Sequence, residues 1–160
     1  LDEPTSAIDV VAQDHILNLL NELKELMQLT YIIISHDLAV VNKMADRILI
    51  MYLGKIVETG PSWMIFSQPL HPYTVALFNA IPDIDTRSVD ELVMLKGDVP
   101  SAIHPPEGCR FHPRCERAMP ICKTQEPKTV YTRDRYVACH LYTGGNAGEA
   151  EQGSAPAVGF

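Results

Sequence analysis

Three groups of residues in this 160-residue chain are of types and spacings that can do chemistry. Asp2 and Glu3 lie side by side at the start, after Leu1 and before Pro4-Thr5-Ser6-Ala7-Ile8-Asp9. Ser35-His36-Asp37 closes the apolar run Tyr31-Ile32-Ile33-Ile34. Cys109, Cys115, Cys122 and Cys139 fall together near the other end. A carboxylate at a strand end can hold Mg²⁺ through its water shell, and a second one beside it can orient or deprotonate an attacking water. An imidazole at the tip of a neighbouring strand can contact a phosphate oxygen. Taken singly, each has a plainer reading. Paired acids usually mark a solvated strand end, and a histidine there is more often a structural hydrogen-bonder.

The cysteines are separated by five, six and sixteen residues. Two disulfides, a four-cysteine Zn²⁺ site and an iron–sulfur cluster compete for that pattern. Zinc modules favour tight C-x₂-C knuckles, which are absent here. A cluster needs four thiolates and tolerates looser, loop-borne spacing. Gly108, Pro113, Pro120 and Pro127 supply such a backbone. His112 and His140 sit beside cysteines and are alternative ligands, with a supporting or surface position the plainer expectation. Within residues 107–143, Arg110, Arg114, Arg117, Lys123, Lys128, Arg133 and Arg135 outnumber Glu107, Glu116, Glu126 and Asp134. That surplus is expected to lower the thiol pKa values and to suit an anionic metal site.

These groups must be positioned by ordinary elements. Asp9 as N-cap predicts a helix over residues 10–27, with Ile16, Leu19, Leu20, Leu23, Leu26 and Met27 on its apolar face. Residues 30–35 are apolar without alternation, which predicts a parallel strand buried on both faces. Asp37 caps a second helix over 38–45. A strand over 47–51, a turn at Gly54 and a return strand over 56–59 come next. The order strand end, helix, strand, helix, hairpin is an α/β layout, in which loops after the strand ends carry the chemistry.

Further on, Pro61, Pro69, Pro72 and Pro82 divide the chain into short helical pieces. His71-Pro72-Tyr73-Thr74 starts one of them, with Pro72 suited to its first turn. Trp63, Met64, Ile65 and Phe66 form an apolar patch assigned to packing between the α/β part and the C-terminal extension. The organisation expected is an α/β part over residues 1–82, a linker over 83–106 with one short amphipathic element at 89–96, a four-cysteine loop module over 107–143, and a disordered tail over 144–160.

Composition narrows the classes. The chain is 46% hydrophobic and 21% charged, with a net charge of −7. No apolar run approaches the roughly 18 residues that span a bilayer. No charged stretch followed by an apolar one marks a signal peptide. The basic surplus around the cysteines is small and lacks interleaved aromatics, so no nucleic-acid partner is expected. The opening Leu1-Asp2-Glu3, without Met, looks like the end of a buried strand, and the chain is expected to be a fragment.

In combination, LDEPTSAID, a helix, and then TYIIISHDLAVV resemble the ABC ATPase family, and ADRILIMYLGKIVETGP resembles its closing strands. The resemblance implies the C-terminal part of a P-loop (RecA-like) ATPase domain beginning at the Walker B motif. It implies that Asp2 positions Mg²⁺ and that Glu3 is the catalytic carboxylate that activates water. Residues 6–9, with Ser6 and Asp9, would form the D-loop that touches a partner ATPase, and His36 would contact the γ-phosphate of ATP. The family usually has Leu where Ile8 stands.

FSQPLHPYTVALFNAIP, then Gly97-Asp98-Val99-Pro100-Ser101 and Gly108-Cys109-Arg110-Phe111-His112-Pro113-Arg114-Cys115, further resemble the extension of ATPase subunits from oligopeptide, dipeptide and nickel importers. That resemblance implies ATP-driven peptide import at the cytoplasmic face of the inner membrane. It implies a second ATPase subunit, two transmembrane permease subunits and an external solute-binding protein as partners. It favours a [4Fe–4S] cluster on the four cysteines over Zn²⁺, with disulfides disfavoured in a reducing compartment. The alternatives are a non-catalytic iron–sulfur or zinc-binding regulatory module, and nickel or another small solute as cargo. The 160 residues hold no GxxxxGK[ST] loop and no LSGGQ-type signature. The chain as given is therefore expected neither to bind ATP tightly nor to hydrolyse it, and activity belongs to the intact protein.

Overall fold

The computed structural model describes residues 1–6, 8–80 and 97–143. The element expected at 89–96 and the tail expected at 144–160 lie outside them.

Asp9 caps the first helix, α1 (Val10–Met27): its Oδ1 accepts from Val11 N at 3.1 Å and Ala12 N at 3.0 Å. These two bonds satisfy amides that the helix itself cannot. The helix ends at Gln28, which takes the left-handed conformation with φ 53° and returns its amide to Lys24 O. Its buried side chain is Leu17, which the heptad-like reading left off the apolar face. Leu19, Leu26 and Met27, placed on that face, are exposed. The correction has a simple cause. α1 meets one small cluster, Leu17, Val40 and Met44 with Leu20 and Ile33, and that cluster covers a narrower stripe than the leucines occupy.

Residues 30–35 are corrected more strongly. They run parallel to the opening residues, with Leu1 N donating to Ile32 O at 2.9 Å, Ile34 N to Leu1 O at 2.9 Å and Glu3 N to Ile34 O at 2.8 Å. This pairing amounts to a single bridge between Asp2 and Ile34. Ile33 packs inward, but Ile32 is 81% and Ile34 59% exposed. Within these 160 residues one face of the pair is covered and the other is open.

The second helix, α2 (Leu38–Met44), begins at the Asp37 cap. β1 (Arg47–Tyr52) and β2 (Lys55–Pro61) form the expected hairpin, the first one residue and the second three residues longer than expected. Leu53 and Gly54 both have positive φ, 45° and 77°, the conformation a tight hairpin turn demands. Along β1, Ile48, Ile50 and Tyr52 are buried while Arg47, Leu49 and Met51 face out. Two short helices come after the hairpin, α3 (Ser62–Ser67) and α4 (Pro72–Asn79). His71 caps α4 by accepting from Tyr73 N through Nδ1 at 3.0 Å, and Pro72 takes the first turn.

The cysteine-bearing stretch is more than loops. It contains β3 (Thr129–Thr132) and β4 (Arg135–Ala138), and β4 pairs antiparallel with β2, opposing Glu58 to Val137 and Thr59 to Tyr136. One four-stranded sheet results, in the order β1-β2-β4-β3. The main core likewise draws on both parts of the chain: Ile48, Ile50, Tyr52, Val57, Ile65 and Phe111. Phe111 meets Tyr52 edge-on at 5.2 Å and Tyr73 at 5.4 Å between ring centroids. Within the patch expected at residues 63–66, Ile65 is fully buried, whereas Trp63 is 67% exposed. A six-residue helix lying on a sheet turns only one face inward.

Candidate functional site

The parallel pairing of residues 1–3 with 32–34 decides where the polar residues meet. It carries Asp2 and Glu3 to the end of one segment and His36 just beyond the end of the other. Glu3 adopts φ 42°, a left-handed conformation uncommon for a side chain of its size. Its Oε1 lies 2.8 Å from His36 Nδ1. Both side chains are open to solvent, 47% and 73% exposed. Asp2 is the bridge residue beside them and is exposed.

Ser6 folds back on this corner: its Oγ donates to Glu3 O at 3.3 Å and its amide to the same oxygen at 3.4 Å. Ile8 N then reaches Thr5 O at 3.4 Å, and Thr5 is buried. Asp9, expected in the same loop, has its carboxylate committed to the α1 cap. The structure thus brings Glu3, Ser6 and His36 into one corner, with Asp2 at its edge and Asp9 behind it.

Sequence reasoning passed over Gln13 there and read Asp37 only as a helix cap. Asp37 Oδ1 accepts from Ala39 N at 2.9 Å and Val40 N at 3.4 Å, while Oδ2 accepts from Gln13 Nε2 at 3.2 Å. Burial works against ionisation of Asp37, but the Gln13 amide and the two backbone amides outweigh it and hold the carboxyl below its ordinary pKa. Ser35 Oγ accepts from Asp37 N at 3.0 Å. The only signal for Gln13 was its place one turn after the Asp9 cap.

The four cysteines are free thiols. Cys122 and Cys139 are buried, Cys109 and Cys115 half-buried. Cys109 N donates to Cys122 O at 2.8 Å, which ties two of them together. Gly108, at φ 65°, makes this possible, because a Cβ there would press into the Cys122 carbonyl and stand 2.9 Å from Thr124 N. Met119 N points at Cys122 Sγ from 3.4 Å. The amides of Phe111 and His112 act on Cys109, that of Arg117 on Cys115 and that of Leu141 on Cys139. Cys139 also feels the other three sulfurs electrostatically.

The expected lowering is overturned at three of the thiols. Burial pushes Cys109 and Cys115 up and Cys139 up to about 11, and the Arg117 charge near Cys115 does not offset it. Among the described residues, no group of three or more His, Cys, Asp or Glu side chains is arranged to hold a single metal ion. His112 Nδ1 lies 2.9 Å from Cys109 O and His140 Nε2 lies 2.9 Å from Gln125 O, so one nitrogen of each ring donates to a carbonyl.

Residues 57–122 match a family model described as the oligopeptide/dipeptide transporter C-terminal region. The chain is 47% identical over 146 residues to a dipeptide transport ATP-binding protein of Caldanaerobacter subterraneus subsp. tengcongensis, an alignment covering 91% of this chain and 44% of that one. It is 48% identical over 145 residues to an oligopeptide transport ATP-binding protein of Bacillus subtilis, covering 89% and 44%. It is 45% identical over 139 residues to a di/tripeptide transport ATP-binding protein of Pseudomonas aeruginosa, covering 87% and 43%. The chain spans less than half the length of these relatives.

Proposed function

Since the chain belongs with the oligopeptide and dipeptide transport ATP-binding proteins and corresponds to their C-terminal region, we propose that it supplies the hydrolytic corner of an ATPase that drives peptide import. The observation that carries this reading is the 2.8 Å contact between Glu3 and His36. It brings a carboxylate and an imidazole into one corner, the pairing that a general base and a phosphate-contacting group acting on one phosphoryl transfer would need. The relatives' names favour this over a purely regulatory metal module.

In this proposal Glu3 orients and deprotonates the water, and His36 steadies the γ-phosphate of ATP by hydrogen bonding. Asp2 would hold Mg²⁺, which when bound neutralises charge on the phosphates. Ser6 and Asp9 sit where a second ATPase subunit would touch the corner. Transmembrane permease subunits and an external solute-binding protein complete the importer, with the ATPase peripheral to the membrane. Among the described residues no helix is long and apolar enough to cross one. The reading also needs a phosphate-cradling loop, and these 160 residues hold none of the GxxxxGK[ST] type.

The cysteine set fits a thiolate-bound cluster in its chemistry. All four thiols are free, and backbone amides are directed at their sulfurs. Amides directed at sulfur are how proteins stabilise such clusters. Cys109, Cys115, Cys122 and Cys139 would hold a [4Fe–4S] cluster, and ligation would add to the stability of the β3–β4 region.

The test is ATP turnover by the full-length protein that contains this sequence, assembled with its permease. Glu3→Gln and His36→Ala each lower turnover by at least about a hundredfold while nucleotide still binds. Undiminished turnover in both overturns the reading. Iron and acid-labile sulfide near four per chain after anaerobic purification support the cluster, and stoichiometric zinc replaces it.

A further inference from the structure

The polar contacts around Glu3 close into a ring. Glu3 O receives Ser6, the turn continues through Thr5 and Ile8 to Asp9, and Asp9 O accepts from Gln13 N at 2.8 Å. Gln13 Nε2 then crosses 24 positions of sequence to Asp37 Oδ2 at 3.2 Å. Asp37 adjoins His36, whose Nδ1 returns to Glu3 at 2.8 Å. Every link but one is either local in sequence or belongs to the acid–histidine pair itself. The exception is Gln13 to Asp37, the hydrogen bond that joins α1 to the loop carrying His36.

We propose that Gln13 is a positioning residue: its side-chain amide holds the Asp37 carboxylate, fixes the Ser35–Asp37 backbone and thereby presents His36 to Glu3, coupling the turn that carries Ser6 to the imidazole. The division of labour at Asp37 supports this. One carboxylate oxygen is used up as the cap of α2, and the other has Gln13 as its side-chain partner. The contact is partly buried, so water competes less for it than on an open surface. The helix Gln13 rides on is anchored at Asp9, directly after the Ser6 turn. A displacement of that turn would therefore move Gln13, and with it Asp37 and His36. A subunit docking on Ser6 would reach the imidazole by this route.

The inference rests on the hydrolytic reading only for its consequence in turnover, and the experiment separates the two. The imidazole ¹⁵N resonances of His36 are recorded in the full-length protein that contains this sequence, labelled at histidine, with Glu3→Ala marking their position once the contact is lost. Gln13→Met keeps length and helix propensity but removes the donor. It moves the His36 Nδ1 resonance more than half of the way to the Glu3→Ala position. Gln13→Lys restores a donor and returns the resonance toward the wild-type value. So does the reciprocal exchange Gln13→Glu with Asp37→Asn, in which Asn still caps α2 and now donates. A merely structural role for Gln13 would not respond to donor direction. In the full-length ATPase, Gln13→Met lowers kcat roughly tenfold or more with KM nearly unchanged. A His36 resonance unmoved by Gln13→Met, or not restored by either donor variant, overturns the proposal. A moved and restored resonance with undiminished kcat upholds the link and overturns the catalytic role of His36 instead.

Discussion

Arg135 Nη1 lies 3.3 Å from Glu58 Oε1, and the two side chains are 3% and 0% exposed. The pair joins β4 to β2 at the centre of the shared sheet, 77 positions apart in sequence. Neither charge is left with one partner. Glu58 also accepts from Leu70 N at 3.0 Å and His71 N at 2.9 Å, and Arg135 donates to Met64 O at 3.0 Å and Gln68 O at 2.6 Å. The pair therefore fixes β2, the end of α3 and the entry to α4 against β4.

Arg135→Met is expected to destabilise the chain by about 3–5 kcal/mol, because it leaves the Glu58 carboxylate buried without a countercharge. Adding Glu58→Leu does not rescue it. A lone buried pair can be exchanged for apolar residues at little loss, but here four backbone groups would lose their partners. Urea denaturation of both variants checks this, and a double variant as stable as the wild type contradicts it.

His71 is 1% exposed, and burial depresses its pKa from 6.5 to about 4. The unfolded chain binds the proton more readily, so stability is fully present above pH 6.5 and falls as pH drops toward 4. The loss across that window is about 3 kcal/mol. Protonation also removes the Nδ1 lone pair that caps α4. His71→Asn keeps a cap acceptor and flattens the pH profile of thermal unfolding between pH 4 and 6.5.

Gly108→Ala meets both a positive φ and backbone contact on the Cys122 side. A flexible neighbour could yield, but a carbonyl and an amide in a short turn cannot. A loss of at least about 2 kcal/mol is expected, together with wider spacing of Cys109 and Cys122. Thermal unfolding and iron content per chain are the measurements.

Thr74 is fully buried, and among the described residues its hydroxyl has no hydrogen-bond partner. Thr74→Val replaces that hydroxyl with a methyl of similar shape. The variant is expected to gain about 1 kcal/mol, seen as a raised melting temperature. An unchanged or lowered value would mean that the hydroxyl is satisfied.

Local patterns carried over into the fold where their cause is local. The Asp9 and Asp37 caps, the Leu53-Gly54 turn and the His71-Pro72 helix entry each depend on a few adjacent residues. Burial did not carry over in the same way. Leu26 and Ile32 are as apolar as Leu17 and Ile33, yet the first two face outward and the last two inward. Which of them is covered depends on the number and width of the layers around it.

The sequence by itself determined the chemistry available: two adjacent acids, a histidine at a strand end, four thiols, and the helices and hairpin between them. Residue type and short-range spacing suffice for that, since caps, turns and amphipathic stripes form between near neighbours. Tertiary structure alone decided the relationships across distance. It set Glu3 against His36, Gln13 against Asp37 and Glu58 against Arg135, wove the two strands that lie between Cys122 and Cys139 into the hairpin's sheet, and raised the pKa values of Cys109, Cys115 and Cys139, which the nearby basic residues were expected to lower. Each of these depends on chain crossing and desolvation, which exist only once separate segments exclude water between them.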